Sequence, residues 1–107
     1  MKTFEEYQVL ALKAPGSLRN NRDRIGLPIT GLQQEAGRLG ALFSTASESG
    51  KFSLTQEQSA EVKDMLSDLL WFVAVLCAEA GISLQDVAEH SVAQLQGRTI
   101  GLDPDRR

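Results

Sequence analysis

Four carboxylates stand where a helical reading of this sequence puts apolar neighbours around them. Glu35 follows Leu32 by three positions and precedes Leu39 by four, so on a helix it borders an apolar stripe rather than the solvent face. Asp68 precedes Trp71 by three and Phe72 by four, with the same consequence on a second helix. Glu61 and Asp64 extend that acidic row at i−7 and i−4 from Asp68. An isolated carboxylate is costly to bury, so each needs a cation, a hydrogen-bond donor or a wet cleft. Two arrangements meet that need. Acids on adjacent helices can converge on a divalent metal, and Mg²⁺ takes oxygen ligands while retaining water and substrate phosphate. Alternatively, they are rim charges of amphipathic helices, paired to Arg or Lys.

The other candidate groups carry less chemistry. His90 is the single histidine and reads as a solvent-facing residue, with no partners for a nucleophile–His–acid set. Gly37-x-x-Gly40 falls inside a helix and lacks the Lys-Ser/Thr ending of a phosphate loop. Arg19, Arg22 and Arg24 form a basic run that suits either a solvated loop or phosphate capture. Lys51 falls in the loop between the acid-bearing helices, where it can meet a phosphate. One cysteine, Cys77, makes neither an internal disulfide nor a thiolate metal site; it reads as a small buried apolar residue in a reducing compartment.

The elements that must position these groups are helices. Thr3-x-x-Glu6 opens the first, with Tyr7, Leu10 and Ala14 at helical spacing and Pro15-Gly16 as its stop. Residues 15–29 read as a long polar connection. Thr30-x-x-Gln33 then caps a second helix with Leu32, Ala36, Leu39 and Phe43 on one face, and 44–53 reads as a Ser/Gly-rich loop. Thr55-x-x-Gln58 opens a third helix that meets no breaker before Gly81, about 37 Å at 1.5 Å per residue. Ser83-x-x-Asp86 caps a fourth, closed by Gly97. Leu69–Ala78 is apolar on every side, and three other helices offer it little cover, so a homodimer through the third helix is expected.

Length and composition bound the rest. With 107 residues, 42% of them hydrophobic and 23% charged, the chain reads as one globular domain, 1–107, with an ordered core over 3–98 and a tail over 99–107. A net charge of −3 argues against nucleic acid as a partner. The acidic start, Phe4-Glu5-Glu6, does not read as a signal peptide, and Leu69–Ala78 is too short for a membrane span. A cytoplasmic location and no membrane partner are expected.

Four stretches in order give the chain a resemblance over residues 3–98. They are Phe4-Glu5-Glu6-Tyr7-Gln8, Gly31-Leu32-Gln33-Gln34-Glu35-Ala36-Gly37-Arg38-Leu39, Met65-Leu66-Ser67-Asp68-Leu69-Leu70-Trp71-Phe72 and Gly81-Ile82-Ser83-Leu84-Gln85. Together they resemble the MazG-like, all-α nucleotide pyrophosphohydrolases. The resemblance implies a four-helix protomer that assembles as a dimer or tetramer. It also implies Mg²⁺-dependent cleavage of nucleoside triphosphates to monophosphate and pyrophosphate. It makes Glu35 and Asp68 the first and last of four metal-binding acids. The second and third places hold Arg38 and Met65, with Glu61 and Asp64 as nearby replacements. On the last helix, where the family carries Asn and Lys near the phosphates, stand Ser91 and Gln94, with Arg98 following as a phosphate-side cation. Such a cage loses two negative charges and gains one positive. Two functions are therefore expected as alternatives: a pyrophosphohydrolase with lost or reduced activity, or a silent helical scaffold or nucleotide- or protein-binding module. In the second case Arg38 replaces the metal as the cation between Glu35 and Asp68.

Overall fold

The computed structural model describes residues 3–13, 21–48 and 50–101, with side chains for 3–13, 25–48 and 50–98. Among these residues there are four helices and no strand: α1 (Phe4–Leu12), α2 (Asn21–Ala46), α3 (Gln56–Glu79) and α4 (Leu84–Gly101). Local chemistry sets most of the ends. The Thr3 hydroxyl accepts the Glu6 N–H at 3.1 Å and starts α1. A full capping box starts α3: the Gln58 N–H donates to Thr55 Oγ1 at 3.0 Å, and the Thr55 N–H donates to Gln58 Oε1 at 2.9 Å. Gly81, at φ 73°, ends it in a Schellman turn, with the Ile82 N–H on Cys77 O and the Gly81 N–H on Ala78 O. The Asp86 N–H on Ser83 Oγ at 3.1 Å then opens α4.

Three expected boundaries are corrected. The polar connection over 15–29 and the cap at Thr30 do not hold, because α2 already begins at Asn21 and Thr30 lies within it. Pro28 sits inside this helix, where a missing N–H and a ring clash cost about 3 kcal/mol. Its ring is fully buried on the side of α2 turned to α3, which offsets that cost. The loop expected from Ser44 starts later, since α2 runs to Ala46. The hydroxyls of Thr45 and Ser47 donate to the carbonyls of Ala41 and Phe43 and satisfy the helix end. Gly97 does not close α4, which continues to Gly101. The expected Ala14 and Pro15-Gly16 stop, Arg19, and the tail beyond 101 lie outside the described residues, and no side chain is described for Arg22 or Arg24.

Helices α2 and α3 form an antiparallel hairpin, and among the described residues α2 packs on no other helix. The residues drawn out of solvent on α2 are Pro28, Leu32, Glu35, Leu39, Leu42 and Ala46; on α3 they are Gln58, Val62, Met65, Leu69, Phe72 and Leu76. Both sets step by four and three, the seam of a two-stranded coil. The expected stripe is therefore corrected: Ala36 and Phe43 are exposed, and Glu35 lies in the seam itself rather than at its edge. Gly31 lets the helices close, because the Phe72 ring rests where a Cβ would stand.

The opposite side of α3 holds the second half of the core. Ala11, Ala74, Cys77 and Leu84 are buried together, with Tyr7, Trp71 and Val73 against them. Burial pushes the Tyr7 hydroxyl's pKa above its ordinary value. Trp71 donates its indole N–H to Ala11 O at 3.0 Å. Gln8 ties three elements: its amide donates to Ala74 O and Ile82 O, and its Oε1 accepts the Leu84 N–H at 3.0 Å. The run Leu69–Ala78 is thus covered largely from within the protomer, and within it only Leu70 is exposed. The premise that this run requires a second copy for cover is corrected.

Candidate functional site

The site is built where the α2–α3 seam carries polar groups. Glu35 lies midway along α2, turned to α3, and its side chain is 12% exposed. At that level α3 presents Asp68, which is exposed rather than turned from solvent as expected, and whose carboxyl feels that of Glu35. Three residues on from Glu35, Arg38 donates from Nη1 to Glu35 Oε1 at 2.6 Å, an i, i+3 ion pair with an arginine 68% exposed. Among the described residues no buried side-chain nitrogen or oxygen lacks a partner, so Glu35 is buried and satisfied.

Asp68 registers the crowding of charge. Its carboxyl is held above its ordinary pKa, first by the protein mass around it, then by the hydrogen bond and the negative charge of Glu35, then by Asp64. Arg38 acts in the opposite direction. One guanidinium thus serves the pair while a third acid, Asp64, presses from the preceding turn of α3.

Beside this cluster lies an open groove of about 420 Å³ between the same helices, lined by Arg38, Ala41, Leu42, Thr45, Gln58, Glu61 and Met65. The expected site residues divide accordingly. Glu35, Asp68 and Arg38 meet, Asp64 acts on Asp68, and Glu61 reaches the groove. Met65 is buried and lines the groove, where the resemblance puts the third acid. Lys51 is exposed in the α2–α3 loop and does not line the groove. Arg98 is exposed in the last turn of α4, a helix that does not pack on the Glu35-bearing α2. His90, Ser91 and Gln94 are exposed on α4. Sequence reasoning missed Thr45 and Gln58 as groove residues. Their i+7 spacing from Arg38 and i−7 spacing from Met65 would have revealed them.

The donor set can be held against the Mg²⁺ that the resemblance implies. A hard dication needs oxygen ligands in near-octahedral array. Among the described residues no group of three or more Asp, Glu, His or Cys is placed to hold a metal. Glu35 Oε1 is engaged by a cation, Asp68 faces Glu35, and a thioether stands at the next position. These residues do not fit the ion. The chain was compared with protein-family models, with curated proteins and with solved structures, and no match was found in any of the three.

Proposed function

We propose that this chain is a MazG-like helical module in which triphosphate hydrolysis has been lost, with Arg38 taking the charge role of a divalent ion. The observation supporting this reading is the 2.6 Å ion pair between Arg38 and the buried Glu35, set beside Asp68. A guanidinium neutralises carboxylates and keeps its charge at any accessible pH, so the helix pairing survives without a metal. It is no Lewis acid, however, and neither activates water nor polarises a phosphoryl oxygen. In this reading the groove is a binding surface, with nucleotide phosphate or a partner's carboxylate meeting the exposed Arg38. The deciding experiment measures pyrophosphate release from a panel of nucleoside triphosphates with Mg²⁺ and with Mn²⁺. No release above the uncatalysed background is expected, and metal-dependent turnover would refute the proposal.

A second reading, an Mg²⁺-dependent pyrophosphohydrolase of reduced activity, draws on one observation: Glu61 lines the same groove as Arg38 and Met65. With Asp64 near Asp68, four acids lie along one side of the hairpin. Under that reading the same assay gives metal-dependent release that Glu61→Gln abolishes.

A further inference from the structure

The groove beside the Glu35 cluster is a trough between two helices, open along its length. From Arg38 to Thr45 its α2 wall covers about 10 Å, two helical turns. Buried Met65 and half-buried Leu42 form an apolar floor, and exposed Ala41 leaves room above it. Neither α1 nor α4 packs on α2, so among the described residues no other helix roofs the trough. Its two walls carry unlike charge. On the α3 side stands Glu61, whose carboxylate has no ion pair or hydrogen bond among the described residues. Glu57, Asp64 and Asp68 share its face of α3, all four exposed and within about 60° of one another at 3.6 residues per turn. On the α2 side stands Arg38, exposed, with Glu35 engaging only its Nη1.

We propose that this groove docks an amphipathic helix of a partner protein, apolar along its base, basic on the flank beside α3 and acidic on the flank beside Arg38. The inference rests on the reading of the groove as a binding surface and adds the form and charge of what it holds. Form follows from the seam. Helices α2 and α3 meet with the spacing of a two-stranded coil, and the trough beside such a pair is where a third strand lies in a three-stranded one. A small-molecule pocket encloses about 70–90% of its ligand, which two walls and a floor do not. Charge follows from the walls. In coiled coils the residues flanking the apolar seam select the partner by opposite charge. The acid row on α3 repels an acidic flank and meets lysine or arginine, with Glu61 as the unpaired contact. Arg38 keeps donors beyond the one given to Glu35 and meets a carboxylate. A polyphosphate at Arg38 would lie against the same four acids, so of the two ligands that arginine admits, the row favours the protein.

Fluorescence anisotropy with labelled synthetic helices tests the proposal. The probe is a stapled peptide of about two heptads with leucine at a and d, lysine on one flank and glutamate on the other. A companion carries glutamate on both flanks. Saturable binding of the first is expected, with the second at least about tenfold weaker. Glu61→Lys changes an exposed, unpaired residue, so it should keep its helical circular dichroism and narrow or reverse that preference. Should it fail to fold, Ala41→Gln serves instead, filling the trough without changing charge and weakening both peptides. No binding of either peptide, equal binding of both, or indifference to these substitutions would overturn the assignment. Displacement of the probe by equimolar spermidine would make the occupant a small polycation, and self-association dissolved by Glu61→Lys would make it a second copy; either result overturns the partner helix. Pyrophosphate release is read separately. Turnover would refute the loss of hydrolysis and leave the peptide result standing, whereas failed peptide binding leaves an absence of turnover untouched.

Discussion

Replacing Arg38 with alanine separates a structural cation from a surface ornament. An exposed ion pair contributes about 0–1 kcal/mol. Here one partner is buried, and its oxygen accepts a charge-assisted bond at 2.6 Å, a kind worth about 1.5–3 kcal/mol. Because Arg38 is 68% exposed and water screens it, the loss should fall at the lower end, about 1–2 kcal/mol. For a domain of this length that lowers Tm by roughly 5–10 °C at neutral pH. Thermal unfolding followed by circular dichroism, with and without Mg²⁺, measures the loss and any effect of the metal. The wild type should show no Mg²⁺ shift, whereas a ligand at a hundredfold its Kd would add about 2.7 kcal/mol. The paired change Arg38→Glu with Met65→Glu should create a Mg²⁺-dependent rise in Tm. If Arg38→Ala is as stable as the wild type and Mg²⁺ stabilises the unmodified chain, the substitution argument fails.

Three further outcomes follow from the geometry. Since the Asp68 carboxyl is raised in the folded state, the fold holds that proton more tightly than the unfolded chain. The associated stability is full below the unfolded carboxylate range and is lost as pH rises through the folded value. Asp68→Asn, whose amide can donate to Glu35, should therefore raise Tm at pH 7 and leave it unchanged in acid. A destabilised Asp68→Asn at neutral pH would contradict this. Gly31→Ala should lower the unfolding free energy by about 1–3 kcal/mol, because its methyl overlaps the Phe72 ring (Cε2 at 2.8 Å). Gly37→Ala, with open space around it, should gain up to about 1 kcal/mol of helix propensity, and equal signs at the two glycines would sink the packing account. Gln8→Ala leaves the Leu84 N–H and two carbonyls without their side-chain partner, and hydrogen exchange should speed up at Leu84 before it does in the α2–α3 seam. Uniform exchange across both would refute that role.

The elements legible in the sequence were those whose ends are set by neighbours a few residues away. Thr55 and Gln58 cap α3 through groups three positions apart, and Gly81 ends it by adopting a positive φ. The first eight residues of α2 are different. Asn21, Arg22, Asp23 and Arg24 are polar, and Pro28 disfavours a helix locally, so every short-range signal there indicates a connection. What makes the segment helical is its place against α3, where Pro28 is wholly buried by a helix distant in sequence. The same limit explains the misplaced demand for cover over Leu69–Ala78. That run is met by Ala11, Tyr7 and Leu84, and helix period alone reveals none of those pairings.

The pairing at Glu35 was legible for a different reason, because a carboxylate in an apolar register poses an electrostatic problem that some neighbour must solve. Two solutions were open at Glu35: a metal shared with Asp68, or a cation on the protein. The i, i+3 position of Arg38 brings the second within reach on the same helix, at no cost in loop closure. What the sequence left open was how far that one cation would go. Arg38 bonds Glu35, and its charge also lowers the Asp68 pKa, yet Asp68 stays raised because desolvation, with Glu35 and Asp64 behind it, outweighs that charge. The cluster is therefore under-neutralised by design of position. An acid at residue 38 would remove the cation and add a further negative charge beside Glu35 and Asp68. Under the proposed reading, the arginine at residue 38 and the absence of a metal go together, since each answers the same excess of negative charge.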